Sequence, residues 1–242
     1  MKSYRFAKKA ALFIVLMLFA SAFCACGTTE VEKEIEIGDI ITFGSYWQGN
    51  SETDGKMPVE WIVLDKHDGR ILIVSKYALD AKPIDESTKV LKWDECSLRE
   101  WLNGAFMNAA FSEEEQEKIV TSTISDHDNP QFGTKGGNNT TEKVFLLSIE
   151  ETEEYFQSDE ARRCVPTDYA VAQGIGAGTS NVTGETYSPW WLRSQGAEPY
   201  YGGIFNGSNF AVIFMGGEID YQGMDQRNKF LGIRPALWII NE

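Results

Sequence analysis

Two apolar runs near the end of the chain dominate its hydrophobic pattern. The first is residues 189–194, Pro-Trp-Trp-Leu-Arg-Ser, and the second is residues 232–238, Gly-Ile-Arg-Pro-Ala-Leu-Trp. Between them, short hydrophobic runs alternate with glycine-containing turns, as in antiparallel strands. We therefore predict that both runs are core strands of one sheet.

Each of these runs carries one arginine at an inner position. Burying a guanidinium group is costly unless the group is paired or hydrogen-bonded. Each arginine should therefore contact a carboxylate or several carbonyl groups, and its role should be structural. The residues that we predict to be structural are Trp190, Trp191, Arg193 and Arg234.

Three more apolar runs predict scaffold strands at residues 37–46, 58–64 and 70–74. The last two are rich in β-branched residues and flank Asp65-Lys66-His67-Asp68-Gly69, which is a strong hairpin signal.

The middle of the chain carries the spacings that begin helices. Ser97–Glu100, Ser112–Glu115 and Ser148–Glu151 fit the capping box, and the first helix should stop at Asn103-Gly104. Another helix should begin at Pro166-Thr167-Asp168. Because helices come early and strand-like runs come late, we predict an α+β fold with short helices in the first half and a strand-rich antiparallel C-terminal half.

The N-terminus has the pattern of a bacterial lipoprotein leader. Residues 1–9 carry four positive charges, and residues 10–23 carry none. Cys26 follows the small residue Ala25, and the segment resembles a lipobox, which implies lipidation of Cys26. A plain signal peptide with incidental cysteines is the alternative. The leader would comprise residues 1–26.

Charge and length then define the mature chain. The acidic segment 27–36 should be a tether, and residues 37–242 are enough for one domain. The formal net charge of −14 argues against nucleic acid or anionic lipid as a partner. The lipid anchor would hold the protein to the outer, extracytoplasmic face of the cell membrane.

The sequence offers little catalytic or metal chemistry. His67 and His127 lie outside any nucleophile or zinc motif, so we predict no catalytic residue, no metal and no cofactor. Asp126, Asp128 and Asn129 carry oxygen ligands suited to calcium, but they lack the glycine and terminal glutamate of an EF-hand loop.

Two cysteines remain in the predicted domain, Cys96 and Cys164. An extracytoplasmic compartment permits a disulfide between them, and two free buried thiols are the equal alternative.

Three motifs carry a resemblance that spans residues 37–239. They are residues 96–103, Cys-Ser-Leu-Arg-Glu-Trp-Leu-Asn, followed by residues 190–194 and 232–238. Together they resemble an uncharacterised domain family of secreted and lipid-anchored Firmicute proteins, from which Gln195 departs because proline is usual there. That family's strand pattern in turn resembles the C-type-lectin-like fold of formylglycine-generating enzymes. The chain lacks the late cysteine pair of those enzymes, so their chemistry does not carry over.

The long polar segments 174–188 and 222–229 lead into the two arginine-bearing runs. If those strands are parallel neighbours, both loops emerge at the same end of the sheet. We therefore predict an extracytoplasmic binding module for a glycan or protein. An enzyme that uses paired carboxylates on envelope polysaccharide and a structural envelope protein are the alternatives. The predicted ligand-binding residues are Tyr187, Tyr221, Asp225, Gln226, Arg227 and Asn228.

Overall fold

The N-terminal strands form a sheet around a tight hairpin. The computed structural model describes residues 34–198 and 207–241, so the predicted leader, Cys26 and most of the tether lie outside the described residues. Asp68 and Gly69 both adopt positive φ, at 49° and 70°, as a two-residue hairpin turn requires. This confirms the predicted hairpin. The first sheet has the order β1-β2-β3-β14-β7, with strands at Ile40–Trp47, Lys56–His67, Arg70–Ser75, Ala236–Ile240 and Val144–Phe145 respectively.

The second sheet contains the first arginine-bearing run. Its order is β12-β11-β10-β13-β4, with strands at Ile219–Asp225, Asn209–Ile213, Trp190–Gln195, Gly232–Ile233 and Asp80–Ala81 respectively. Strand β10 pairs with β11 in antiparallel fashion and with β13 in parallel, through Trp190 and Gly232. This pairing confirms the expectation that the two arginine-bearing runs begin as parallel neighbours in one sheet.

The closing run does not lie in one sheet, and this part of the prediction was wrong. Gly232 and Ile233 belong to the second sheet, whereas Ala236–Ile240 pairs with β3 and β7 in the first. Pro235 stands between them and has no N–H to donate to a ladder, so the chain leaves one sheet there and enters the other.

Two small antiparallel strand pairs complete the strands that the structure describes. One pairs β5 with β6, at Ser122–Ile124 and Thr140–Glu142. The other pairs β8 with β9, at Gly178–Thr179 and Thr186–Tyr187. The second pair lies inside the segment 174–188 that we predicted as a loop.

The described helices are all short. They are α1 Ser97–Trp101, α2 Met107–Ala110, α3 Glu113–Lys118, α4 Ile149–Tyr155, α5 Asp159–Arg162 and α6 Asp168–Ala172. Ser112 and Ser148 form the predicted capping boxes with Glu115 and Glu151. With the antiparallel sheets, these helices confirm the predicted α+β class.

Helix α1 differs from its prediction at both ends. Cys96, not Ser97, is the N-cap, and a π-helical turn at Leu102–Phe106 joins α1 to α2. The predicted stop at Asn103 was wrong. The Asn103 amide donates to the carbonyls of Arg99 and Val144 and accepts from the Lys143 and Val144 amides. The three bonds to Lys143 and Val144 are tertiary contacts that hold Asn103 inside the helical segment.

Candidate functional site

The two arginines of the apolar runs are buried in different ways. Arg193 donates to Glu151 through Nη1 at 2.5 Å and Nη2 at 2.8 Å. It also donates to the carbonyls of Leu146, at 2.7 Å, and Ser125, at 3.1 Å. Arg193 thus has the carboxylate and the carbonyl groups that its burial requires.

Arg234 has a different environment. Its Nε donates to the Ser75 carbonyl at 2.8 Å, and its guanidinium lies 4.9 Å from the Trp190 ring centroid and 5.2 Å from that of Phe156. Its Nη1 has no hydrogen-bond partner within residues 34–198 and 207–241. Burial lowers the pKa of Arg234. One carbonyl and two aromatic faces thus replace the carboxylate or several carbonyl groups that we expected.

Two of the six predicted ligand-binding residues are buried. Gln226 has no exposed surface, and its amide donates to the Ser87 and Lys89 carbonyls and accepts from the Ser208 amide. Tyr187 is also buried, and its hydroxyl donates to Glu185. All hydrogen-bonding atoms of the Gln226 amide group face protein atoms. The prediction that Tyr187 and Gln226 contact a ligand is corrected on this ground.

Three of the others share one open depression. We call it the Phe230 surface. It has a volume of about 440 Å³ and is lined by Asp225, Arg227, Asn228, Lys229 and Phe230. The Phe230 ring is 64% exposed. An exposed aromatic ring beside charged and amide groups is a composition that binds ligands in many proteins.

Local hydrogen bonds brace the Phe230 surface. Arg227 donates from its backbone N–H and its Nε to Asp225 Oδ1, both at 2.8 Å. These bonds lower the pKa of Asp225, so its carboxylate remains charged. The Asn228 side chain accepts from the Phe230 amide at 2.9 Å. The buried Gln226 anchors the middle of the turn. These contacts favour one conformation of the turn, which lowers the entropic cost of binding a ligand.

One residue of the predicted segment 174–188 contacts the edge of this surface. The Gly176 amide donates to the Phe230 carbonyl at 2.7 Å. The second loop is shorter than predicted, because Gln222–Asp225 belongs to strand β12. Only residues 226–229 form the turn.

Tyr221 lies in a second depression, of about 430 Å³. We call it the Tyr221 groove, and its lining residues are Glu153, Phe156, Gln157, Asp159, Arg162, Glu218, Ile219 and Tyr221. The Tyr221 hydroxyl donates to Glu153. Burial and this carboxylate raise the pKa of Tyr221 to about 12, so the hydroxyl is a neutral donor at physiological pH. A third depression shares Glu153 and includes His127, which contacts Glu150. Of the six residues that the sequence grouped, the fold thus places three at the Phe230 surface, puts Tyr221 in the Tyr221 groove and buries the other two.

Sequence reasoning missed Phe230 and Glu153. Phe230 precedes Leu231-Gly232-Ile233 and has the pattern of a strand residue, although it is exposed. The polar residues on its N-terminal side were the one signal that it borders a turn. Glu153 lies on helix α4 and had no signal beyond its charge.

Cys96 and Cys164 do not form a disulfide with each other. Cys96 and Cys164 are both free and buried. The Cys96 thiol donates to the Trp93 carbonyl, whereas the Cys164 thiol contacts the carbonyls of Lys76 and Val165. The two thiols thus have separate surroundings, and the structure matches the free-thiol alternative.

Within the described ranges, no group of three or more His, Cys, Asp or Glu side chains is arranged to hold a metal ion. In the same ranges, no helix has the length and apolarity needed to cross a bilayer.

Similarity to known proteins is found at the level of a domain family. No curated protein and no solved structure matches the chain. Residues 68–240 match the family model described as a domain of unknown function, DUF6273. This match covers most of the chain and includes both arginine-bearing runs and the Phe230 surface, and the chain therefore belongs to the DUF6273 family.

Proposed function

We propose that this protein is a lipid-anchored, extracytoplasmic binding module that recognises a glycan or a protein through the Phe230 surface. The observation that carries the proposal is the exposed Phe230 ring in a braced depression beside the Asp225–Arg227 ion pair. An apolar ring packs against a sugar face or an apolar side chain. The neighbouring polar groups then fix the orientation of the bound ligand.

The hydrogen bonds that hold the turn support a binding site here over a surface turn that binds nothing. The turn is held by the Asp225–Arg227 and Asn228–Phe230 hydrogen bonds and by the buried Gln226 amide. A flexible surface turn would lose more conformational entropy on binding than this one. Truncating a central aromatic residue at such a site commonly costs more than about 1 kcal/mol of binding free energy.

The proposed lipid anchoring at the extracytoplasmic face is supported by the N-terminal leader sequence. Four positive charges precede an uncharged run, and Ala25 precedes Cys26. Mass spectrometry of the mature N-terminus tests this part. An acylated Cys26 as first residue supports it, and cleavage elsewhere without an acyl group on Cys26 contradicts it.

We further propose that the DUF6273 fold is C-type-lectin-like and that the family consists of secreted and lipid-anchored Firmicute proteins. The Gly232-Ile233-Arg234 segment and the strand-rich second half of the chain support the fold proposal. An experimental structure that superposed poorly on that fold would contradict it.

Binding is tested with the chain from Thr28 to Glu242 on a glycan array and in a pull-down from cell-envelope extract. The Phe230→Ala and Arg227→Ala variants should each lower the affinity for the ligand found by about tenfold or more. Phe132→Ala is the matched control, because Phe132 is also exposed, at 47%, and does not line the Phe230 surface.

Binding that survives both substitutions contradicts the proposed site. Turnover of a glycan that depends on Glu153 or Glu218 would instead favour the enzyme alternative and move the site to the Tyr221 groove. If the chain binds no glycan on the array and no protein in the pull-down, the result would favour the alternative of a structural envelope protein.

A further inference from the structure

The chain enters the domain at one end of the first sheet, close to the turn of the β2–β3 hairpin. The ammonium group of Lys66, the penultimate residue of β2, donates to the Ile35 carbonyl at 3.2 Å. The Val63 amide donates to the Asp39 carbonyl at 3.0 Å, and the Asp39 amide donates to the Glu36 carbonyl at 3.0 Å. These contacts fix the point at which the N-terminal segment reaches the fold.

Two isoleucines of the first sheet share one of its faces. Residues directly opposite each other on neighbouring strands lie on the same face. Ile40 is opposite Ile62, Ile62 is opposite Val74, and Val74 is opposite Ala236. Ile240 follows Ala236 on that face, because side chains alternate along β14 with a period of two. Three strand spacings and four residues of rise separate Ile40 from Ile240, which amounts to about 20 Å.

Three isoleucines near the entry point of the chain are exposed. The exposed fractions are 64% for Ile37, 51% for Ile40 and 45% for Ile240. The Asn241 amide donates to the Gly69 carbonyl at 2.8 Å, which places Ile240 beside the hairpin turn. We call Ile37, Ile40 and Ile240 the anchor-side patch. Large apolar side chains that are gathered at one end of a fold and remain in water indicate a contact surface.

The length of the preceding segment determines what this patch can reach. Residues 27–34 separate Cys26 from Ile35, and a chain of this length spans at most about 30 Å. An acyl chain on Cys26 would therefore keep Ile35 within about 30 Å of the lipid headgroups. Within that distance, a second and weaker contact with the bilayer forms as an intramolecular event and is favoured by a high effective concentration.

We propose that the anchor-side patch rests on the bilayer surface and orients the domain there, an inference that rests on the proposed lipid anchor. Isoleucine side chains enter the headgroup region because their apolar surface leaves water there. The charged residues beside the patch have both signs, and they include Glu36, Asp65, Lys66, Asp68 and Arg70. The contact is therefore apolar, its partner is a surface of zwitterionic lipid, and anionic lipid should weaken it because the protein is acidic.

This orientation would direct the Phe230 surface away from the membrane. Strands β3 and β4 lie antiparallel to β14 and β13, from the Arg70–Ile240 pair beside the patch to the Ala81–Gly232 pair at the other end. The Phe230 surface adjoins this second pair, because its defining residue lies two positions before Gly232. Its ligand would then be a glycan or protein that approaches from the extracytoplasmic side, and not a lipid headgroup.

Hydroxyl-radical footprinting, which measures the exposure of side chains to water, tests the proposal on the chain from Cys26 to Glu242. Coupling the Cys26 thiol to a maleimide lipid in phosphatidylcholine vesicles supplies the anchor, and the buried Cys96 and Cys164 are shielded from the reagent. Labelling of the three isoleucines should fall at least about twofold relative to the uncoupled protein, because side chains in the headgroup region lose most of their water. Labelling of Phe230 should not change, and adding phosphatidylglycerol to the vesicles should weaken the protection.

Variants separate a specific contact from crowding at the vesicle surface. Ile37→Ser combined with Ile240→Ser should return the labelling of Ile40 to its level in the uncoupled protein, because two of the three apolar groups are removed. Val182→Ser is the matched control and should keep the protection, because Val182 is 94% exposed and lies between β8 and β9, outside the patch. Circular dichroism establishes that each variant is folded, and Ile37→Ser alone decides the test if the double variant fails to fold.

Unchanged labelling of the three isoleucines on the vesicles would overturn the proposal, as would protection that persists in the double variant or extends equally to Val182. Protection that appears in the uncoupled protein as its concentration rises would assign the patch to a second copy of the chain and would also overturn it. Coupling through maleimide does not require natural acylation. An unacylated natural N-terminus therefore contradicts the proposed anchor, whereas the vesicle experiment alone contradicts the patch, and neither result depends on ligand binding at the Phe230 surface.

Discussion

Arg193 and Glu151 form a two-pronged, partly buried ion pair that joins strand β10 to the first turn of helix α4. Both guanidinium Nη atoms donate to the carboxylate, and the same carboxylate accepts from the Ser148 amide to complete the capping box. One side chain thus begins a helix and neutralises a core arginine. Parallel hydrogen bonds of this kind are the strong form of an ion pair.

Arg193→Met should therefore lower the free energy of unfolding by about 3 to 5 kcal/mol, the usual loss when one partner of a buried pair is removed. The carbonyls of Ser125 and Leu146 would also lose their donors. Urea denaturation measures the loss. Lys76→Met removes the partly exposed ion pair with Glu60 and should cost no more than about 1 kcal/mol. Equal losses in the two variants would contradict the assignment.

Arg234→Met should cost much less than Arg193→Met. The rings of Trp190 and Phe156 can pack against a methionine side chain, and Arg234 Nη1 has no partner among the described residues to lose. Replacing a poorly paired buried charge with an apolar side chain is often nearly neutral. The buried Ser75 carbonyl would lose its donor, so we expect a loss of about 1 to 2 kcal/mol, measured in the same urea series. A loss as large as that of Arg193→Met would indicate that the arginine itself specifies the fold here.

Titration of Asp80 should make the stability of the protein depend on pH. Asp80 is 2% exposed, and burial raises its pKa above the usual 3.8 although the Tyr46 hydroxyl donates to it at 2.9 Å. The folded state therefore holds this proton more tightly than the unfolded state. The stability that Asp80 contributes is present below about pH 4 and is lost as pH rises through the folded-state pKa.

Asp80→Asn removes the titrating group, so the wild type should lose stability relative to this variant as the pH rises above about 4. Tyr46→Phe removes the hydrogen bond that favours the charged form, so its loss should be larger than that of the wild type. Urea midpoints across this pH range measure both. Parallel pH profiles for all three proteins would show that Asp80 does not titrate in this window.

Gly217 should tolerate no side chain. Its φ is +97°, and a Cβ there would lie 1.7 Å from the Asp159 carbonyl oxygen. Gly217→Ala should therefore cost about 3 kcal/mol or more, from backbone strain and from displacement of helix α5. Gly184 also has a positive φ, of +74°, but has no atom within 4 Å of the Cβ position. Gly184→Ala should cost only about 1 to 2 kcal/mol, and similar losses from thermal unfolding would exclude the steric explanation.

Much of the local structure follows from the sequence because it depends on residues close together in the chain. The Asp68-Gly69 turn, the Ser112 and Ser148 capping boxes and the apolar runs that form β3 and β10 all depend on short-range geometry. Such signals contain the turn residue, the cap and the hydrophobic period in one short segment. The α+β class follows from their order.

The arrangement of the site depends on tertiary contacts. Gln226 and Asp225 are adjacent in a polar segment, yet Gln226 is buried against the 87–89 segment and Asp225 is not. Asp94 and Asp126 meet at Gly137 although helices α1 to α3 separate them in sequence. Pro235 divides the closing run between two sheets, because each half finds its ladder partners elsewhere. Sequence periodicity determined which apolar residues are buried. Only long-range packing determined which polar groups are buried with them and which partners those groups contact.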